Sequence, residues 1–217
     1  MSSNFSAQPQ TFPHALFPRI KRRIPAKLSQ TPHRKEGRDI RFWYFFFYSF
    51  LGFLLEVAYA RLTHSPKPDR KCFLFLPLCP VYGLGALGIL GVSAFLYDRP
   101  VLMALGGGLA ATAAEYLTGL FYERVLGVSF WDYSGLPGNI DGKVCLPFAA
   151  AWSLLSAVLV YLIHPPLAAL ISLLSPDLVL PLFSLTLADG LVSLYLLKTT
   201  GSTDSLKWYA RPARGVS

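Results

Sequence analysis

Charge is scarce in this chain. Lys, Arg, Asp and Glu make up 15% of its 217 residues, whereas 53% are hydrophobic. The mean hydropathy of +0.43 is above what a water-soluble domain shows. So few charges exclude a solvated, disordered chain, and they also argue against a soluble globule, because too few amphipathic segments remain to wrap the apolar ones. Thiols and imidazoles are few as well. Three cysteines cannot all pair, and neither they nor the four histidines show the spacing of a metal site. Apolar neighbours around Cys72, Cys79 and Cys145 favour reduced, packed thiols. No G-x-x-x-x-G-K-[ST] phosphate loop and no G-x-S-x-G nucleophile elbow occurs, so the residues indicate no cofactor, no metal and no ATPase in this chain.

What the chain has is length without charge. A helix crossing the hydrocarbon layer needs about 20 mostly apolar residues, and five runs of that kind are present, at about 42–60, 77–97, 101–122, 144–163 and 178–197. The first opens on the aromatics FWYFFFY, which suit a headgroup boundary, and closes at Arg61. Only Asp98, Arg99 and Pro100 separate the second from the third, which predicts a tight helical hairpin. His164, Pro165 and Pro166 are expected to stop the fourth, and Lys198 the fifth. Prolines 77, 80, 147 and 181 fall near first turns, where a missing N–H costs little. Leu167–Ser175 is too short to span and reads as an interfacial or re-entrant piece. The expected fold is therefore all-α: a polytopic membrane bundle of about five transmembrane helices over 42–198.

Two tails flank that bundle in this reading. Residues 1–41 are polar, basic and proline-containing, which predicts a disordered tail without the apolar core of a secretory signal; 199–217 form a C-terminal tail. The basic tail could rest on anionic lipid or be merely solvated. Nucleic acid is not expected, because most of the net charge of +8 flanks the spans. Lys and Arg divide evenly between the two membrane faces, so they do not orient the chain; the cost of translocating a basic tail favours its N-terminus inside.

Acids within apolar spans are costly and often functional. Glu56, Glu115 and Asp189 lie past the middle of the first, third and fifth runs, which cross in the same direction, so the three are expected in one half of the bilayer. Small or polar residues accompany each at helical spacing: Ser49 and Gly52 with Glu56, Gly108, Ala111, Thr112 and Gly119 with Glu115, Thr186 and Ser193 with Asp189. One reading is a polar pocket that binds a cation, proton or substrate amine. The other is structural pairing with loop cations such as Arg70 and Lys71, fixing helix register and nothing more.

The same half adjoins the loop FWDYSGLPGNIDGKVC, 130–145. Glycines 135, 138 and 142 and Pro137 force tight turns there, and Asp132, Asn139 and Asp141 can cap turns through their own backbone. The loop is thus either a packed lid or a contributor of Asp132, Asn139 and Lys143 to a site above Glu115. Trp131 and Tyr133 suit an interfacial belt.

LCPVYGLGA at 78–86, EYLTGLFYE at 115–123, WDYS at 131–134 and NIDGKVCL at 139–146, in that order, resemble a bacterial family of small integral membrane proteins, the CmpB-like permeases or ABC-transporter type IV. A glycine-rich stretch usual before the PLCP segment is replaced here by Cys72 and Leu76. The resemblance implies a permease-like subunit for a small solute in a bacterial cytoplasmic membrane. Its partners would be the bilayer, a separate ATP-binding chain and further copies of itself. Its candidate binding residues are Glu56, Glu115, Asp132, Asn139, Lys143 and Asp189, supported by Lys71, Tyr82, Gly119, Trp131 and Tyr133. The competing functions are a non-transporting scaffold or regulatory subunit, and an enzyme acting on lipid or envelope substrates.

Overall fold

A computed structural model describes residues 33–64 and 72–207. Among the described residues there are six α-helices: α1 (His33–Leu62), α2 (Pro80–Leu96), α3 (Pro100–Phe121), α4 (Leu146–Val158), α5 (His164–Ile171) and α6 (Val179–Thr200). Among the described residues, four helical stretches are long and apolar enough to cross a membrane, Asp39–Leu62, Pro100–Leu126, Leu146–Ile171 and Pro176–Thr200. The fifth, α2, has 17 residues, at the short end of the spanning range. Among the described residues there is no strand, only an isolated bridge between Ile140 and Val144. The molecule is an all-α membrane helix bundle.

Several boundaries differ from the sequence expectation for physical reasons. The first helix starts at His33 rather than Phe42, so part of the expected basic tail is helical; residues 1–32 lie outside the described residues. The second starts at Pro80 rather than Pro77. The residues before it are held as non-helical chain by side chains of other elements, as described below. The stop expected at His164–Pro166 is a change of helix type. Leu159–Ile163 is a π turn in which the His164 N–H bonds to the Leu159 carbonyl, and α5 begins directly after it with Pro165 in its first turn. The missing proline N–H falls where no α-type partner is required, so Leu146–Ile171 continues as one helical stretch. A second π turn, Tyr122–Leu126, extends α3 and closes at Gly127. That glycine takes φ 74°, a left-handed conformation that suits a residue without Cβ.

Small residues set the helix separations. A Cβ on Gly108 would stand 2.1 Å from the Ser153 hydroxyl and one on Gly107 2.8 Å from Ser156 Cβ, so α3 and α4 meet backbone to side chain. Gly85 and Gly88 of α2 lie against Ala111 and Ala110 of α3. In lipid, where apolar burial drives little association, such close approach supplies the van der Waals energy. Among the described residues after α6, Thr203–Leu206 folds back as a 3-10 turn, and the fully buried Leu206 packs with Leu197, Tyr122, Leu126 and Val128.

Candidate functional site

Glu56 and Glu115 line the same cavity. It has a volume of about 220 Å³ and lies between α1, α2, α3 and α4 beneath the 127–145 loop. Its walls carry Tyr59, Tyr82, Phe130, Trp131, Tyr133, Phe148 and Trp152, with Cys72 and Cys79 to one side.

Glu115 is only 5% exposed, and its carboxylate accepts hydrogen bonds from Tyr133 Oη at 3.1 Å on one oxygen and Trp152 Nε1 at 2.9 Å on the other. Tyr133 arrives from the loop and is stacked on Phe148 of α4, with centroids 4.6 Å apart. Trp152 belongs to α4 and packs on Tyr82 of α2, centroids 5.3 Å apart. Tyr82 in turn donates its hydroxyl to Glu56 Oε1 at 2.7 Å. Gly52 makes this contact possible: a Cβ there would lie 2.2–2.5 Å from the Tyr82 ring. The two carboxylates are thus joined through aromatic side chains from three elements, Tyr133 and Trp152 buried and Tyr82 half-buried, each with its polar tip hydrogen-bonded, as burial of Tyr and Trp demands.

Asp189 does something else. Its two oxygens accept from the backbone amides of Leu74, Phe75 and Leu76 at 2.6–3.2 Å, and Ser193 Oγ accepts from the Leu74 amide at 2.8 Å. Consecutive amides left without helix or strand partners converge on one carboxylate, which binds the segment before α2 to α6. Asp189 does not line the Glu56–Glu115 cavity. The Cys72 and Cys79 sulfurs of this segment lie 3.2 Å apart, a hydrogen-bond distance and not a disulfide.

The loop is ordered by its own turns. Asp132 accepts from the Ser134 amide and hydroxyl, which hold its carboxyl below the ordinary value, and Asn139 Nδ2 donates to the carbonyls of Ser134 and Leu136. Gly142, at φ 65°, leaves the room Asp132 and Ser134 occupy, since a Cβ there would lie 2.7 Å from both side chains. Lys143 forms an ion pair with Glu123, which raises its ammonium pKa, while its carbonyl accepts from Trp131 Nε1 at 2.8 Å. Gly119 of α3 admits Lys143 and Trp131 at 3.3 Å. Asp132 and Lys143 line a second, polar hollow of about 280 Å³ with Glu123 and Asp141, outside the first cavity.

Of the sequence candidates, therefore, Glu56, Glu115, Tyr82, Trp131 and Tyr133 are brought together. Asp132, Asn139, Lys143 and Gly119 shape the loop, and Asp189 fixes the segment before α2. Lys71 lies outside the described residues. Trp152 is not among the sequence candidates. Its signal was an indole N–H inside an apolar run, a donor that needs an acceptor at membrane depth.

The family model described as putative ABC-transporter type IV matches residues 43–194, well over half of the chain. The chain belongs to this family. It is a multi-pass membrane protein by both its helices and its family. No curated protein and no solved structure matches it.

Proposed function

We propose that this family member is a permease-like subunit of a bacterial cytoplasmic membrane and that the Glu56–Glu115 cavity is its solute site. One observation carries the reading: acids from two separate spans line a single cavity, each presented by a tyrosine or tryptophan donor, under a loop fixed by internal turns. Placing carboxylates at membrane depth is costly, and a scaffold needs no hollow between them. In this reading Glu56 and Glu115 hold the solute. Asp132, Asn139 and Lys143 maintain the cap, and Asp189 maintains the wall that carries Cys72 and Cys79. Energy from ATP would enter through a separate chain, because this sequence has no phosphate loop.

The test uses the full chain in proteoliposomes with a panel of radiolabelled small amines and polyols, alongside Glu115→Gln at equal incorporation. A solute bound or exchanged by the wild type and lost in the variant supports the site. Equal handling of every solute by both proteins removes Glu115 from function and leaves the scaffold reading.

A further inference from the structure

Two sulfurs before α2 stand closer than packing alone brings them. Cys72 Sγ and Cys79 Sγ are 3.2 Å apart, whereas even carbon atoms in packed contact keep about 3.5–4.0 Å, and sulfur is the larger atom. An approach of about 1.1 Å would bring them to the bonded separation of about 2.05 Å.

The backbone is arranged to hold them there. Seven residue steps can extend about 23 Å, so the bends at 73–76 must double the chain back to bring the two thiols together. Both halves of the fold-back are fastened to other elements. The amides of Leu74, Phe75 and Leu76 donate to Asp189 of α6, and the Phe73 ring fits against Gly190, 3.3 Å from where a Cβ would stand. At the other end the Cys79 amide donates to the Ser49 carbonyl of α1 at 3.0 Å, and Pro80 opens α2. The sulfurs are thus positioned by three helices before any bond joins them, and the entropy of bringing two reactants together is already lost.

Both side chains are buried, at 6% and 3% exposed, yet each lines a hollow. The cavity of about 220 Å³ touches both, and a second of about 320 Å³, lined by residues of α2, α3 and α6, touches Cys72. A water takes up about 30 Å³ of liquid, so either hollow accommodates a molecule of two oxygens. Cys145, at the start of α4, is buried to the same degree, at 2% exposed.

From this geometry we infer that Cys72 and Cys79 form an oxidation site, a dithiol that a small neutral peroxide closes to a disulfide. One sulfur, as thiolate, attacks a peroxide oxygen. The O–O bond breaks, the departing hydroxide takes up the thiol proton to leave as water, and a sulfenic acid forms. The other sulfur then attacks the sulfenic sulfur, the S–O bond breaks, and a second water leaves with the second thiol proton. Two electrons pass from the sulfurs to the peroxide. A partner 3.2 Å away captures the sulfenic acid before it can advance to the irreversible sulfinic stage. The bridge ties the segment gripped by Asp189 to the start of α2. None of this requires Glu56 or Glu115 to hold a solute.

Timed exposure of the full, reduced chain in nanodiscs to hydrogen peroxide tests the site. The protein is then unfolded in N-ethylmaleimide and digested with trypsin. Cys72 and Cys79 fall in one peptide, 72–124, because Arg99 precedes Pro100, and Cys145 falls in another, 144–198. The 72–124 peptide should lose two hydrogens, carry no maleimide, and regain both thiols after dithiothreitol. It should close about tenfold faster than Cys145 loses its maleimide site.

Two maleimides on 72–124 throughout, or closure no faster than the loss at Cys145, overturns the inference. So does a bridge from either sulfur to Cys145. Sulfinic acid at 72 or 79 in place of the disulfide also overturns it, because the second sulfur was then out of reach.

Discussion

Tyr82 on α2 crosses the bare backbone of Gly52 on α1 to place its hydroxyl 2.7 Å from Glu56. Position 52 is therefore part of the site's architecture, although it carries no functional group. A Cβ there would meet the root of the ring, its Cβ and Cγ, which cannot swing aside as the end of a long side chain can. Gly52→Ala gains about 1 kcal/mol of helix propensity and loses about 1–3 kcal/mol to overpacking. The melting temperature in detergent should fall, and Tyr82→Ala in the Gly52→Ala background should recover part of the loss. A melting temperature that rises in Gly52→Ala would show that α1 and α2 are not held this closely.

Removing one donor from Glu115 takes a hydrogen bond away from a buried carboxyl group. Trp152→Phe keeps an aromatic ring near Tyr82 but is smaller than indole, and it deletes the N–H that bonds at 2.9 Å. A hydrogen bond to a charged group contributes about 1.5–3 kcal/mol, and Trp152→Phe should lose at least that much stability, the space left by the smaller ring adding to it. Tyr133→Phe should cost less on its own, since its 3.1 Å bond is longer. The two losses should not add, because both donors serve one carboxylate. Thermal melts of the two single variants and the double variant give the coupling directly, and strict additivity would mean that the donors act independently of Glu115.

How much of this was legible follows from what each residue type can signal alone. Uninterrupted apolar length and in-span acids are local properties, so the membrane bundle and Glu56, Glu115 and Asp189 could be read from the chain. Which acid does what depends on partners remote in sequence. Asp189 is indistinguishable from Glu115 until the amides of Leu74–Leu76 are seen to converge on it. Shared membrane depth did not imply a shared cavity. The double proline at 165–166 reads as a terminator because proline usually is one, and the π turn that accommodates it has no composition of its own.

Asp189 supplies the corresponding contrast between structure and function. An asparagine at 189 keeps one acceptor oxygen but points an NH2 at backbone amides that already donate. Asp189→Asn should therefore loosen the segment before α2, speeding amide hydrogen exchange at Leu74, Phe75 and Leu76 about tenfold or more. Exchange around Trp152 and Tyr133 should change less, since Asp189 does not line their cavity. Unaltered exchange at the three amides would show that they are held by something other than this carboxylate.

The cap should carry an acid-sensitive contribution of known sign. In the folded loop the Ser134 hydroxyl and amide donate to Asp132, hold its carboxylate ionised and lower its pKa below the ordinary 3.8. A group depressed on folding stabilises the folded state above its unfolded value, and that stabilisation disappears as pH falls through the lower, folded value. Protection of the 130–145 amides, measured against their intrinsic exchange rate at each pH, should thus stay high at neutral pH and fall only below about pH 3.8. Asp132→Asn should exchange faster at neutral pH and show a shallower acid limb, the remaining slope belonging to neighbours such as Glu123 and Asp141. Lys143 acts at the opposite end. Its pairing with Glu123 raises its ammonium pKa, so that contribution persists at neutral pH and is lost as pH rises through the folded value. A loop whose exchange shows no acid limb in the wild type, or the same limb in Asp132→Asn, would mean that the turn is set by Gly142 and its neighbours without help from the carboxylate.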